Sequence, residues 1–177
     1  GVHVDLDQAY IADREKRTSG ELEALQVALG QATNSLEKPR IRKALFELGE
    51  FYATMGNLQN SMKCVTRARE SCTEDLHTAQ MCNLAVKVNV FRGNYAVFSP
   101  YVSRAEQLGD RLNDEHYTYF KISAALLQLD KRNFKATATT LTKLRRRRET
   151  PVDMSVANHF FNPSDLLMVT SLCALAT

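Results

Sequence analysis

The side chains that could do chemistry are few and scattered. Four cysteines, Cys64, Cys72, Cys82 and Cys173, include no C-x-x-C pair, and four histidines, His3, His77, His116 and His159, stand far apart along the chain. Zinc sites and disulfide frameworks announce themselves by short paired spacings, so this pattern assigns neither a metal nor a bridge, and the thiols read as core or surface filler. A glycine-rich phosphate loop, an H-E-x-x-H helix and acids paired around a histidine are missing from the sequence. No catalytic residue and no cofactor is therefore assigned.

Two clusters could bind rather than react. Asn83, Lys87 and Asn89 could face a groove and grip a terminal carboxylate, in competition with buried capping roles. The second cluster is basic. Lys131, Arg132, Lys135, Lys143 and the tetrad Arg145, Arg146, Arg147 and Arg148 put eight of the 23 basic residues in one acid-free stretch, leaving 15 against 20 acids elsewhere, a net of −5. Three readings stay open for it: a solvated helix C-terminus that complements the dipole, a contact for an acidic protein or the import machinery, and nucleic acid. The last is disfavoured, because no aromatic residue interleaves the arginines. Beyond the tetrad, Val152, Met154, Val156, Phe160 and Phe161 spot a stretch without periodicity. Such a segment either tucks back onto the fold or docks on a partner, and Phe160 and Phe161 join the four arginines as partner-binding candidates.

What must position these groups is a repeat. Gly56-Asn57-Leu58 returns as Gly93-Asn94-Tyr95 after 37 residues and as Arg132-Asn133-Phe134 after 39 more. The text downstream also returns: TRARE ending at Glu70, SRAE ending at Glu106, TKLR ending at Arg145. Within the first unit, Leu48 beside Gly49 leaves a gap for a second helix, Gly56 supplies a left-handed stop, and Leu58, Met62, Val65, Ala68 and Cys72 form one apolar stripe. A hairpin of this kind cannot bury its face alone, so repetition implies stacking. The fold expected is all-α, a right-handed solenoid of tetratricopeptide-like helical hairpins, with residues 1–39 as an N-terminal helical segment and 40–177 as the repeat domain.

Several local expectations follow. Leu22, Leu25, Leu29, Ala32 and Leu36 predict a narrow helical seam, with a restart near Gly20 where Thr18 and Glu21 resemble a capping box. Leu84 to Phe91 alternates like a strand, but its place in the repeat predicts a buried helix, capped by Thr73. Pro100 predicts either a kinked helix or, in preference, a fresh helix start with Ser99 as cap. Asn113 should cap the helix carrying Tyr119, Ile122, Leu126 and Leu129, and Ser164 with Asp165 should open a last helix whose apolar face finds no partner in the sequence. That unpartnered face and the initial Gly1 suggest a longer natural chain.

The composition, 44% apolar and 24% charged in 177 residues, is that of one globular domain. No apolar run approaches the ~20 residues of a membrane span, so no membrane association is expected. Unpaired thiols fit a reducing compartment, cytosolic or nuclear.

Four stretches, MKCVTRARESCT (62–73), MCNLAVKV (81–88), YVSRAE (101–106) and PSDLLMVTSLCALAT (163–177), resemble the subunit 1 family of the COP-9 signalosome, itself related to a non-ATPase subunit of the proteasome regulatory lid. The resemblance covers most of the chain from about Gly49 onward. It implies a helical-repeat arm followed in the full protein by a winged-helix PCI domain outside this chain. It further implies a non-catalytic subunit that contacts other signalosome subunits and cullin-RING ligase components, in a complex that removes the ubiquitin-like modifier from cullins. The metalloprotease centre would lie in another subunit, and the location would be cytoplasmic and nuclear. Neither Pro100 nor Arg145 to Arg148 matches a family motif, so neither takes a role from it. Three function classes follow: a scaffold, a peptide-capturing module, and a nucleic-acid binder through the basic end.

Overall fold

A computed structural model of the protein describes residues 7–146 and 162–177. Among these residues all regular structure is helical. The elements are α1 (Gln8–Asn34), α2 (Lys38–Thr54), α3 (Leu58–Ala68), α4 (Asp75–Phe91), α5 (Tyr95–Glu106), α6 (Asp114–Asp130), α7 (Phe134–Arg146) and α8 (Pro163–Leu175), with short 3-10 turns at Arg69–Ser71 and Gly109–Arg111. Each helix packs on the next in sequence, and α2 also meets α4, as α4 meets α6. Three hairpins, α2/α3, α4/α5 and α6/α7, therefore stack as the repeat predicts, flanked by α1 and α8.

The repeated tripeptide is the hairpin turn. Asn57, Asn94 and Asn133 each donate their backbone N–H back to the carbonyl five residues earlier, in Tyr52, Asn89 and Gln128, at 2.8, 3.1 and 2.8 Å. This is the Schellman closure, and it needs a left-handed residue just before the asparagine. Gly56 and Gly93 supply it at φ 74° and 64°; Arg132 supplies it at φ 56° despite its Cβ. Asn57 and Asn133 then accept from the N–H groups of Asn60 and Ala136, so one residue closes the old helix and caps the new one.

Gly49 sets how closely the first hairpin and its neighbour approach. A Cβ there would stand 2.8 Å from Leu84 Cδ2 and 3.3 Å from Cys64 Cβ, so α2, α3 and α4 converge on a position only glycine fills without displacement. Downstream, the repeated text ends on equivalent core contacts: Ala68 and Ala105 are fully buried and Leu144 nearly so, at the 37- and 39-residue steps. The central core gathers Val65, Met81, Val86, Val88, Phe98, Val102 and Phe120. Side chains of this size contribute roughly 1.5–3 kcal/mol each on full burial.

The Leu84 to Phe91 stretch is helix, as the repeat requires. Its strand-like alternation arises because α4 is surrounded by α2, α3, α5 and α6, and a helix buried on nearly every side loses the one-faced apolar stripe. Five expectations are corrected. No restart occurs at Gly20, because α1 runs unbroken from Gln8 to Asn34 and Asp7, not Thr18, caps it. Leu36 leaves the seam: the helix has ended, and the residue sits at φ 56°, 81% exposed. Pro100 lies inside α5 rather than at its start. A proline removes the N–H that would bond the carbonyl four residues back, and here that residue, Ala96, is exposed like Pro100 itself, while Phe98, Val102 and Ala105 hold the buried face. Finally α4 begins after Glu74 rather than Thr73, and α8 begins at Pro163 with Asn162 as its cap.

Candidate partner-binding groove

The solenoid's first helices carry a line of polar contacts across the hairpins. Lys87 on α4 pairs with Glu50 on α2 at 2.5 Å. Asn83, one turn back, donates its amide to Nδ1 of His116 on α6 at 2.8 Å, and its main-chain carbonyl accepts from the Tyr119 hydroxyl at 3.0 Å. Burial pushes the His116 imidazole below its ordinary value, with nearby Glu115 opposing, and this keeps it neutral and able to accept. Burial also raises the Tyr119 phenol well above its ordinary value, with the Glu50 charge adding to it, so it stays a donor. These bonds stitch the stack rather than offer reactive groups.

Beside that line lies a groove of about 640 Å³ between α2 and α4. From α2 it is lined by Pro39, Arg42, Lys43, Phe46, Glu47 and Glu50, and from α4 by Leu76, His77, Gln80, Asn83 and Leu84. The two walls run parallel: Gly49 lies against Leu84 and Glu50 against Lys87, offsets of 35 and 37 residues beside a repeat step of 37, and Arg42 and His77 both line the groove. Glu50 is occupied by Lys87, and Lys43 makes a longer pair with Glu47 at 3.8 Å. Arg42 spends one N–H on the Ser71 carbonyl at 3.3 Å. Two acceptors at the wall, His77 Nδ1 and Asn83 Oδ1, are buried without a partner.

The sequence-derived carboxylate grip is partly redistributed. Asn83 lines the groove and Lys87 stands next to it but is neutralised by Glu50; Asn89 is 1% exposed on another side of α4, donating to the Ala85 carbonyl and Met62 Sδ. Arg42, His77 and Gln80 were not read from the sequence. Their signal was the period itself, because Glu50 and Lys87 are equivalent positions of successive repeats with opposite charge. Of the other candidates, Arg145 and Arg146 belong to the last turn of α7, whereas Arg147, Arg148, Phe160 and Phe161 lie outside the described residues. Among the described residues no group of three or more His, Cys, Asp or Glu side chains could hold a metal ion, and no helix is long and apolar enough to cross a membrane.

A second surface is apolar. On α8, Leu166 and Cys173 are buried, but Leu167, Met168, Leu172 and Leu175 are 58%, 57%, 59% and 85% exposed.

Comparison with known proteins agrees with the repeat architecture. The chain is 28% identical to COP9 signalosome complex subunit 1b of Drosophila melanogaster over 97% of its length, and 26% identical to subunit 1 of Arabidopsis thaliana over all of it. It is 27% identical to subunit 1 of Emericella nidulans over 97% of its length. It spans only 33%, 39% and 34% of those relatives. The sequence model of the 26S proteasome subunit RPN7 family matches residues 7–177, which include every helix described above, and the chain belongs to that family.

Proposed function

We propose that this chain is the helical-repeat part of a non-catalytic scaffold subunit of the COP9 signalosome, present in cytoplasm and nucleus, which supports cullin deneddylation through protein contacts. The observation that carries the reading is the end-to-end likeness to subunit 1 proteins of an insect, a plant and a fungus. The stacked hairpins fit it, since Lys87–Glu50 and Asn83–His116 join one hairpin to the next while α8 leaves a row of apolar side chains outward. The catalytic metalloprotease would then belong to another subunit, and cullin-RING components would be reached through the assembled complex.

Purification of the tagged full-length protein from its cells, with mass spectrometry of what accompanies it, tests this. Signalosome subunits should copurify, and the paired substitutions Leu167→Asp and Leu172→Asp should reduce their recovery. The related reading, a scaffold of the proteasome lid, is favoured by the family description alone; recovery of lid subunits instead would replace the signalosome reading.

A further inference from the structure

We infer that Ser19 is a phosphorylation site for a kinase that reads basic residues, and that the phosphate splits α1 at Thr18. This concerns the N-terminal helix alone and does not rest on the scaffold reading.

The sequence supplies the recognition. Ser19 follows Arg14, Lys16 and Arg17 by five, three and two residues, and Gly20 after it adds no side chain. Kinases that choose substrates by charge seat such cations in acidic pockets beside the cleft, so spacing from the cations decides which hydroxyl reacts. Among the described serines and threonines, Ser19 alone has a cation both two and three residues ahead of it. Arg17 pairs with Asp13 at 2.8 Å, but both side chains are more than half exposed, and a pair of this kind holds weakly.

The structure supplies the access. A kinase takes its substrate extended, so the helix must open around Ser19. Ser19 is exposed, no residue of α1 before Leu29 is buried, and Leu22 is the first side chain of α1 that packs on the core. Opening residues 8–21 therefore gives up helical hydrogen bonds and no packed core. In the transfer, Ser19 Oγ bonds to the γ-phosphorus of a nucleoside triphosphate as the bond from that phosphorus to the β–γ bridging oxygen breaks. The diphosphate leaves with the electron pair, and the hydroxyl proton passes to the kinase's base.

Charge then decides which helix survives. Along the continuous α1, the neighbours of Ser19 are Glu15 and Glu23, four residues before and after, with Lys16 three before. A phosphate of nearly two negative charges is repelled by both glutamates, and one lysine answers only part of that. A helix beginning at Ser19 reverses the sign. Thr18 becomes the cap, Glu21 its capping-box partner, and the phosphate stands in the first turn at the positive end of the dipole. The spacing of Thr18 and Glu21 encodes this start, and the unmodified chain leaves it unused, since α1 runs unbroken from its Asp7 cap. Residues 8–17 are released, while Leu22, Leu25, Leu29 and Ala32 keep the rest of α1 on the core.

Incubation of the whole chain with the cyclic-AMP-dependent kinase and magnesium ATP, followed by peptide mapping, tests the site. Thr150, outside the described residues, has the same spacing from Arg147 and Arg148, so the experiment uses Thr150→Ala. Phosphate should map to Ser19, at a rate at least tenfold lower after the paired changes Lys16→Gln and Arg17→Gln, which keep helix propensity. Amide hydrogen exchange of residues 8–17 should then rise at least tenfold in the phosphorylated chain, with residues 22–34 unchanged. No phosphate on Ser19, or a rate indifferent to the paired changes, overturns the site. Phosphate on Ser19 with exchange of residues 8–17 unchanged overturns the split.

Discussion

The Ser61 hydroxyl donates to the Gly49 carbonyl at 2.7 Å, and both residues are buried where α3 crosses α2. A hydroxyl on one helix can reach a carbonyl already inside another helix only if the backbones approach closely, and the missing Cβ of Gly49 permits that approach. The same gap admits Leu84 from the next hairpin, so one glycine sets both the closure of a hairpin and its stacking distance.

Gly49→Ala should therefore destabilise the chain although alanine is the better helix former. Overpacking costs roughly 1–3 kcal/mol and the propensity gain is about 1, so a net loss of up to about 2 kcal/mol is expected by urea denaturation. In a Leu84→Ala background the added methyl has room, and the same substitution should cost less there. Equal costs in the two backgrounds would refute the packing account.

The three hairpin turns make a second, internally controlled case. Gly56 and Gly93 adopt positive φ, and a Cβ at either would meet no atom within 4 Å, so alanine there suffers only backbone strain. Arg132 already bears that strain at φ 56°. Gly56→Ala should lower stability by about 1 kcal/mol and Arg132→Gly should raise it by somewhat less, because glycine also loosens the unfolded chain. Chemical denaturation of the two variants should give opposite signs.

The turns also show how much of the fold was legible. A tripeptide returning at 37 and 39 residues gave the three hairpins, and even the arginine in place of glycine did not hide the third, because Asn133 keeps its cap. Helix continuity was not legible. Thr18 and Pro100 carry valid local signals for a start; at Pro100 the burial of Phe98, Val102 and Ala105 overrides it, whereas at Thr18 α1 simply continues through a stretch with no buried residue. The groove was half legible: Asn83 and Lys87 were found by type, but Arg42, His77 and Gln80 come together only once two repeats are laid in register. Asn89 was misplaced because a helix buried on nearly every side gives no periodic clue to which polar residue points outward.

Thiol chemistry should follow burial. Cys82 is fully buried, and burial pushes its thiol up to about 12, with nearby Arg104 opposing. Thiolate is the reacting species, so Cys82 should resist iodoacetamide at pH 8 in the folded protein and react fully in denaturant. Half-buried Cys72 has its thiol raised by burial too, but Arg42 and Arg104 both favour the thiolate there. Peptide mapping after a timed pulse should find Cys72 labelled before Cys82; modification of Cys82 first would contradict the packing of α4.

Acidification should act through His116. Its neutral ring accepts the Asn83 amide at Nδ1, and a proton there would set two donors against each other in a buried place. The folded value is lowered by burial, against the partial opposition of Glu115, relative to about 6.5 in an unfolded chain. The unfolded state consequently binds more protons between those two values. The stability contributed by the neutral ring is complete above about pH 6.5 and is lost as pH falls from there through the lower folded value. Melting temperatures between pH 7.5 and 5 should decline in the natural chain and decline less in His116→Gln, which cannot take the proton. Carboxylates titrate mostly lower, near 4, so the difference between the two curves isolates this ring. Parallel curves would show that the contact between α4 and α6 carries no proton linkage.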